Sequence, residues 1–242
     1  DSTNSYLNIK NIIKAAKDNK ADAVHPGYGF LSENAEFSKA LKKENITFIG
    51  PSEEAIHSMG DKIISKRIAK KAGVNIIPGV DGAIKNVDLA IKAAKEIGYP
   101  VMIKASAGGG GRGMKLVLNH SDLEGAFKSA KKEAEAAFGN DDVYIEKYLL
   151  EPKHIEIQII GDGKGNAVHL AERDCSIQRR HQKLLEESPS PALDDHLRLK
   201  MGEAAVAAAK SIDYEGAGTV EFLLDRQGNF YLMEMNTRIQ VE

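Results

Sequence analysis

Lys104-Ala-Ser-Ala-Gly-Gly-Gly-Gly-Arg-Gly-Met114 is the stretch that decides the fold. It contains the pattern G-x-G-x-x-G at Gly108, Gly110 and Gly113. In a dinucleotide-binding fold that pattern opens a helix, so that the pyrophosphate meets the helix N-terminus. Here Met114 to Leu118 is typical of a strand, and no Gly-Lys-Ser/Thr of a P-loop follows. The stretch therefore predicts a strand-loop-strand flap whose backbone N–H groups close over an anion such as a polyphosphate.

Lys104 ends the first strand of this flap, and its charge would point toward the same anion. A glycine hairpin that holds no ligand is the alternative interpretation. Four consecutive glycines lose much chain entropy on folding, so they need a reason to be there. A bound anion supplies that reason and is the interpretation we favour.

The segments around the flap predict a small α+β lid, residues 83–148. Asn86 to Ile97 carries apolar residues at helical spacing, and Tyr99 to Ala105 is typical of a strand. Ser121-Asp-Leu-Glu124 has the pattern of a capping box that opens a long helix. The flap is thus expected between two strands of this lid.

The N-terminal part predicts the end of a parallel α/β domain, residues 1–58. Strand-like runs occur at Ala21 to Val24 and at Thr47 to Ile49. Between them, His25-Pro-Gly-Tyr-Gly-Phe30 forces a rigid loop and Ser32 opens a helix. Strand, helix, strand is the order expected of a parallel layer.

The C-terminal part predicts an antiparallel sheet, residues 149–242, after a linker helix and loop at 59–82. Turn residues at Asp162 to Asn166 and Arg226 to Asn229 indicate two hairpins, and Asp194 to Ile212 is an alanine-rich helix pattern. The strand-like runs are Val143 to Tyr148, Ile155 to Ile160, Ala167 to Glu172, Gly218 to Leu224 and Phe230 to Met235.

Two carboxylates on the last hairpin suggest a metal site. If the turn directly follows Asp225, that residue pairs with Phe230. Continuing the register places Glu221 opposite Glu234, with Cβ atoms ~5 Å apart on one face. Asn236 shares that face, because it lies two residues beyond Glu234. Two carboxylates and an amide oxygen suit Mg²⁺ or Mn²⁺ bound with nucleotide phosphates. A solvated outer face is the alternative.

Residues beyond the hairpin continue the alternation. Arg238 and Gln240 would share the metal face and meet a small anion there, if the strand pattern continues. Glu242 has the same parity and could act on that anion as a general base. Val220, Phe222, Met233 and Met235 would bury the opposite face.

A cationic segment, Glu172 to Lys183, lies between the predicted strand and helix. Such loops are often merely exposed, and His181 alone would more often be a hydrogen-bonded or solvated side chain than a catalyst. Cys175 is better explained as a small packed residue than as a nucleophile, because no base at a diagnostic spacing supports it.

Composition excludes some classes of partner. Thirty-three basic and thirty-five acidic residues give a formal net charge of -2, so no global positive field would attract nucleic acid or anionic membranes. No apolar run approaches the ~18–20 residues of a membrane span. We therefore expect neither nucleic acid nor membrane as partner, and a cytoplasmic location, or the mitochondrial matrix in a eukaryote.

Four motifs together resemble the biotin carboxylase family of ATP-grasp enzymes, across essentially the whole chain. They are His25 to Asn34, Lys104 to Met114, Glu172 to Lys183 and Glu234 to Glu242. The resemblance implies an α/β fold, α+β in part, in which an ATP-grasp domain at 59–242 follows the end of a Rossmann-like domain. It also implies a fragment, because the family begins earlier and continues past Glu242, where an arginine is thought to stabilise the biotin enolate.

The resemblance implies roles for individual residues. The implied ATP-binding residues are Lys62, Lys104, the flap glycines Gly108, Gly109, Gly110 and Gly111, the adenine hinge Glu146, Lys147 and Leu149, and His154, Gln178 and His181 near the ribose and nucleotide. The implied metal ligands are Glu221, Glu234 and Asn236. The implied bicarbonate pocket is Lys183, Arg238, Gln240, Val241 and Glu242, of which Lys183, Arg238 and Glu242 would be catalytic, with Glu242 as the base.

The implied reaction is attack of bicarbonate on the γ-phosphate of ATP, followed by carboxyl transfer from carboxyphosphate to biotin. It implies ATP, Mg²⁺ or Mn²⁺ and carrier-bound biotin. The implied partners are a biotin carboxyl carrier protein or domain, a carboxyltransferase and a second copy of the chain in a homodimer.

Two alternatives remain open. Another ATP-grasp ligase, such as the carbamoyl phosphate synthetase large subunit, also makes carboxyphosphate, although the segment ending at Lys183 favours biotin carboxylase. A noncatalytic nucleotide-binding module is the second alternative. It has no need of a base such as Glu242 beside a metal.

Overall fold

The computed structural model describes residues 1–107, 113–179 and 182–242. The predicted flap glycines Gly108 to Gly111 and the predicted nucleotide residue His181 lie outside the described residues. The helices are α1 (Ile9–Asp18), α2 (Ala35–Lys43), α3 (Glu53–Gly60), α4 (Lys62–Lys71), α5 (Val87–Ile97), α6 (Leu123–Phe138) and α7 (Asp195–Lys210). The strands are β1 (Ala23–Val24), β2 (Thr47–Phe48), β3 (Val101–Ala105), β4 (Met114–Val117), β5 (Val143–Lys147), β6 (Lys153–Asp162), β7 (Ala167–Arg179), β8 (Gln182–Glu187), β9 (Glu215–Leu224) and β10 (Phe230–Asn236).

The N-terminal unit has the predicted parallel pairing, since β1 and β2 run side by side with α2 between them in sequence. Helix α2 begins at Ala35, later than expected from Ser32, because the Asn34 side chain accepts a hydrogen bond from Phe37 N and caps the helix. The predicted domain boundary at 58/59 falls within α3, which the sequence analysis did not predict. That boundary stays a prediction.

The predicted lid is a three-stranded antiparallel sheet in the order β4-β3-β5, packed against α5 and α6. The strands that flank the predicted flap do pair, with Lys104 opposite Met114. Strand β5 was listed with the strands of the C-terminal sheet, although it lies within the predicted lid bounds, and it pairs with β3 of the lid. The capping box is also wrong, because the Ser121 hydroxyl donates to Asn119 at 2.6 Å and no side chain caps α6.

The C-terminal sheet is antiparallel throughout, in the order β10-β9-β6-β7-β8. Helix α7 covers one face, where Met201 and Ala205 pack with the fully buried Ile155, Ile157 and Phe222. The cationic segment is not a loop as predicted. Strand β7 continues through it to Arg179 and pairs with β8, which gives the backbone N–H and C=O groups of the segment hydrogen-bonding partners.

A β-bulge changes the register of the last hairpin. Phe230 pairs with Leu224, so the predicted pairing of Phe230 with Asp225 is wrong by one residue. The register shifts by one residue between Leu232 and Glu234, and this shift restores the predicted pairing of Glu234 with Glu221. Such a bulge redirects side chains. Leu232 faces the core, whereas Met233, predicted to be buried on that side, lines the opposite face.

Within the part of the chain that the structure describes, none of the helices combines the length and the apolar character needed to cross a membrane.

Candidate active site

A cavity of about 430 Å³ lies between the lid and the face of the five-stranded sheet that is opposite α7. It brings together most of the residues that the sequence analysis selected, from α4, both sheets and the C-terminal segment. The selected residues that line it are Lys62, Lys104, Glu146, Lys147, Leu149, His154, Gln178, Lys183, Glu221, Glu234, Asn236, Arg238 and Gln240.

Three carboxylates form a row across neighbouring strands of this face. Glu234 on β10 is opposite Glu221 on β9, as predicted, and Glu221 is opposite Glu156 on β6. Arg173 on β7 extends the row, because it pairs with Glu156. The side-chain amide nitrogen of Asn236 donates to Glu221 Oε1 at 2.5 Å. Like charges on adjacent strands repel, so the row requires cations.

Cationic side chains compensate two of the three carboxylates. Lys62 Nζ lies 3.1 Å from Glu234, and Lys183 Nζ lies 2.5 Å from Glu156. Burial opposes ionisation, but His154 and Lys183 outweigh it and lower the pKa of Glu156 to about 2. Lys62 and Lys104 likewise outweigh burial and lower the pKa of Glu234.

Glu221 is the carboxylate with too little compensation. Burial raises its pKa, and repulsion from Glu234 and Glu156 raises it further. His154 bridges the two neighbours, with Nε2 at 2.9 Å from Glu221 and 3.3 Å from Glu156. Burial alone would lower the pKa of His154, but hydrogen bonds to Glu156 and Glu221 raise it to about 9. Glu221 therefore shares its charged partner His154 with Glu156.

Glu156 and Arg173 were not predicted as site residues, although the sequence holds a signal for Glu156. His154, Glu156 and Gln158 alternate with isoleucines along β6, which is the pattern of a strand with one polar and one apolar face. Arg173 lies 3.5 Å from Glu156 and donates to Gln240 Oε1 at 2.7 Å. These two residues connect the carboxylate row to the C-terminal segment.

The C-terminal segment is positioned by contacts rather than by strand pairing, because β10 ends at Asn236. Arg238 Nε donates to Glu33 Oε2 at 3.1 Å, and the same carboxylate accepts a hydrogen bond from Thr237 N at 3.1 Å. Glu33 comes from the N-terminal unit and was also missed, since nothing local in the sequence indicates this contact. The predicted bicarbonate residues Arg238 and Gln240 therefore do share the cavity.

Two predicted bicarbonate residues lie at the edge of this group. Glu242 does not line the cavity, but its Oε1 lies 2.7 Å from Lys183 Nζ. Burial would lower the pKa of Lys183, yet hydrogen bonds to Glu156 and Glu242 raise it. Lys183 is thus a firmly charged link between the carboxylate row and Glu242. Val241 is 71% exposed and does not line the cavity.

The lid contributes a buried cluster of charge. Glu146, which is 1% exposed, forms ion pairs with both Lys104 and Lys66. Burial is the largest influence on Glu146, but the two lysines outweigh it and lower its pKa. Lys66 was not predicted, although it lies one turn after Lys62 on α4.

Other lid and hinge residues define the remaining walls. The Lys147 ammonium donates to Gly98 O at 2.9 Å and to Tyr99 O at 3.0 Å, so its charge is bound within the lid. The Gln178 side-chain amide lies 2.7 Å from His154 Nδ1. Apolar side chains that the sequence analysis did not select also line the cavity, among them Ile77, Met102, Met114, Leu223 and Met233.

Two family models match the chain in succession. Residues 1–56 match the biotin carboxylase N-terminal domain, and residues 61–242 match the carbamoyl-phosphate synthase L chain ATP-binding domain.

Curated relatives agree with these matches. A biotin carboxylase of Nostoc sp. is 61% identical over 241 residues, which cover 100% of this chain and 54% of that protein. The mitochondrial propionyl-CoA carboxylase alpha chain of Mus musculus is 58% identical over 98% of this chain and 33% of its own length. The chain therefore spans about half the length of the first relative, and less of the second.

Solved structures show the same architecture. A biotin carboxylase complex with β-γ-ATP from Campylobacter jejuni has a TM-score of 0.97 and 58% identity, covering 100% of this chain and 54% of that one. The biotin carboxylase domain dimer of Hydrogenobacter thermophilus 2-oxoglutarate carboxylase, in complex with MgADP, ADP and bicarbonate, has a TM-score of 0.94 and 53% identity over 98% of this chain and 52% of that one. With both domain matches in order and this likeness over the whole chain, the protein belongs to the biotin carboxylase family of ATP-grasp enzymes.

Proposed function

We propose that the protein containing this chain carboxylates biotin on a carrier protein, using ATP and bicarbonate. One observation carries the proposal. A single cavity collects Lys62 and Lys104, the carboxylates of the metal face, and an arginine-glutamine-lysine group suited to a small oxyanion, with Glu242 paired to that lysine at its edge. Bicarbonate would attack the γ-phosphorus of ATP, which releases ADP and forms carboxyphosphate. The carboxyl group would then pass to N1 of biotin, which releases phosphate, and the N1 proton would leave with that phosphate.

The nucleotide would span the lid and the sheet. Met102, Leu223 and Met233 offer apolar surface to a planar base, while Lys62 and Lys104 offer charge to its phosphates. Phosphoryl transfer needs positioning and charge neutralisation more than covalent chemistry by the protein. In this proposal the lysines neutralise the charge of the phosphates. His154 and Gln178 would lie between the base and the phosphates of the nucleotide.

Two sets of residues offer a divalent metal its ligands. His154, Glu156 and Glu221 have ligand atoms within 4.8 Å of one another. His154, however, is already a charged bridge between the two carboxylates, and Mg²⁺ prefers oxygen ligands. Glu221, Glu234 and Asn236 fit better, because all three have side-chain oxygens and lie together on the cavity wall. Mg²⁺ or Mn²⁺ held there would neutralise charge on the nucleotide phosphates.

The C-terminal segment would hold bicarbonate. Arg238 offers charge, and Gln240 accepts from Arg173 through its oxygen, which leaves its amide nitrogen to donate to an anion. Glu242 would remove the bicarbonate proton as the anion attacks. Its ion pair with Lys183 fixes the position of the carboxylate beside the predicted bicarbonate residues.

The partners follow from the same proposal. A biotin carrier domain and a carboxyltransferase would supply biotin and consume carboxybiotin. A homodimer is supported by the dimeric Hydrogenobacter domain. The cytoplasmic location expected from the sequence stays a prediction.

The decisive experiment measures ATP hydrolysis by the full-length protein with Mg²⁺, with and without bicarbonate and free biotin. We expect turnover that requires bicarbonate and rises with biotin, and that Glu242→Gln lowers at least ~100-fold. Glu203→Gln, an exposed change on α7, is the matched control. Bicarbonate-dependent turnover that ignores biotin would instead point to another carboxyphosphate-forming ligase.

A further inference from the structure

Glu146 lies between two lysines at the back of the cavity. Lys104 Nζ contacts its Oε1 and Lys66 Nζ contacts its Oε2, so each carboxylate oxygen has one ammonium partner. The side chain of Glu146 is 2% exposed, and those of the two lysines are each 13% exposed. One buried negative charge thus has two positive partners, which is one more than neutrality requires.

The two lysines differ in what else they can reach. Lys104 lines the cavity, as does Lys62 on α4. Lys66 does not line it, and its ammonium lies over the Tyr144 ring, 4.5 Å from the centroid. Burial lowers the pKa of Lys66, opposed by the attraction of Glu146. Lys66 therefore faces the carboxylate and not the space where a ligand would bind.

This difference matters because Lys104 cannot pair fully with Glu146 and with a nucleotide phosphate at the same time. To bind a phosphate, its ammonium has to weaken or leave the contact with Glu146. If Lys104 were the only partner, that movement would leave a buried carboxylate without a counter-charge, which is strongly unfavourable. With Lys66 on the second oxygen, Glu146 stays paired while Lys104 moves.

We propose that Lys66 is a positioning residue that keeps Glu146 paired and so releases Lys104 for the nucleotide phosphates. The inference rests on the proposed binding of ATP in this cavity, and it adds a residue that touches neither the nucleotide nor the reacting atoms. Without Lys66, Lys104 stays bound to Glu146, and affinity for phosphorylated nucleotides falls.

The test compares nucleotide dissociation constants, measured by calorimetry on the full-length protein with Mg²⁺. Lys66→Met should raise the dissociation constant of ADP and ATP about tenfold, a factor that corresponds to the partial loss of one charge contact. Adenosine has no phosphate, so its dissociation constant should change less than about twofold on the same scale. Lys66→Arg keeps the charge and should bind all three ligands as the wild type does.

A second pair of variants separates positioning from direct contact. In a Glu146→Gln background no carboxylate holds Lys104, so adding Lys66→Met should leave ADP affinity within about twofold of Glu146→Gln alone. Lys70→Met removes an exposed charge from the same helix and should have no effect. Thermal unfolding of each variant confirms that it is folded at the assay temperature.

Three outcomes would overturn the inference. They are unchanged ADP affinity in Lys66→Met, an equal loss for adenosine, and a tenfold loss that persists in the Glu146→Gln background. In each of these the wild type still binds ATP, so the proposed function survives. A wild type that binds no nucleotide would remove the proposed function and this inference together.

Discussion

The two faces of strand β6 are both buried at the centre of the strand, but in different ways. Ile157 and Glu156 are neighbours on this strand, and both are 0% exposed. Ile157 packs in the core beneath α7, whereas Glu156 lies among His154, Lys183 and Arg173. Burial alone therefore does not separate core from active site here. The nature of the neighbouring groups does.

The difference has an energetic meaning. Apolar burial is non-directional and roughly proportional to area, so each isoleucine contributes almost independently. The carboxylate row depends on a balance of charges, in which changing one group changes the pKa of the next. We expect changes on the α7 face to alter stability, and changes on the cavity face to alter activity.

The largest effect is expected from Ile157→Ala on the α7 face. Removing this fully buried side chain leaves a cavity and should lower the free energy of unfolding by about 2–5 kcal/mol. Urea unfolding measures the loss. ATP turnover per folded molecule should stay close to that of the wild type, and Val168→Ala, which is exposed, should leave stability unchanged. An unchanged free energy of unfolding together with a large loss of ATP turnover would contradict the proposed difference between the two faces.

Glu234→Gln on the cavity face should do the reverse. Loss of this charge opposite Glu221 should lower kcat about 100-fold, equivalent to about 2.7 kcal/mol in activation free energy. The unfolding temperature should change little, because Gln keeps the volume of the side chain. Steady-state ATP hydrolysis and thermal unfolding measure the two quantities, with Glu203→Gln as control. Activity within threefold of the wild type would remove Glu234 from the site.

Glu33→Gln tests a contact at the edge of the cavity that should affect bicarbonate binding and not ATP binding. Arg238 would lose its charged partner and its fixed orientation, so KM for bicarbonate should rise about tenfold. KM for ATP should not change, because the hydrogen bonds of the Glu33 carboxylate go to Thr237 and Arg238 in the predicted bicarbonate segment. Glu36→Gln, an exposed change on α2, is the control. Equal effects on both substrates would indicate a general loss of structure instead.

The smallest effect is expected from Asp174→Asn, which tests an exception on the α7 face. Asp174 pairs with Ile155, yet its carboxylate accepts hydrogen bonds from Ser176 and Ser190. Burial opposes ionisation, but these hydrogen bonds outweigh it and lower the pKa of Asp174. The change should cost about 1 kcal/mol at pH 7.

The pH dependence of that cost has a definite sign. Because the folded pKa of Asp174 lies below the unfolded one, the charged form stabilises the fold above about pH 4, and this contribution is lost as the pH falls. The difference in unfolding free energy between Asp174→Asn and the wild type should therefore narrow from pH 7 to pH 3. Asp22→Asn, an exposed change of the same kind, is the matched control variant. A difference in unfolding free energy that increases toward pH 3 would contradict a stabilising role for the charged form of Asp174.

Local patterns predicted much of the fold and of the site. The alternation along β9 and β10 placed Glu221 opposite Glu234, and glycines flanked by strand-like runs located the lid. That pairing was obtained from a turn register wrong by one residue, which the bulge at Met233 cancels. A bulge depends on the partner strand, so periodicity within a single segment cannot reveal it.

The missed parts depend on contacts between distant segments. No strand was predicted at β8, because its charged residues mask the strand pattern. Lys66 shares a helix face with Lys62, but its meaning depends on Glu146, 80 residues away. Long-range charge pairing of this kind leaves no trace in local composition.

The contact of Glu33 with Arg238 also sets an order of assembly. These residues are 205 positions apart, so the contact closes one of the longest loops in the chain. During synthesis the N-terminal unit emerges from the ribosome first, and domains tend to fold in that order. The segment that would hold bicarbonate then adopts its shape against a surface that is already folded. If the N-terminal unit folded late or incorrectly, the part of the cavity proposed for the nucleotide would still form. The part proposed for bicarbonate would stay open, and such a molecule could consume ATP without a productive acceptor.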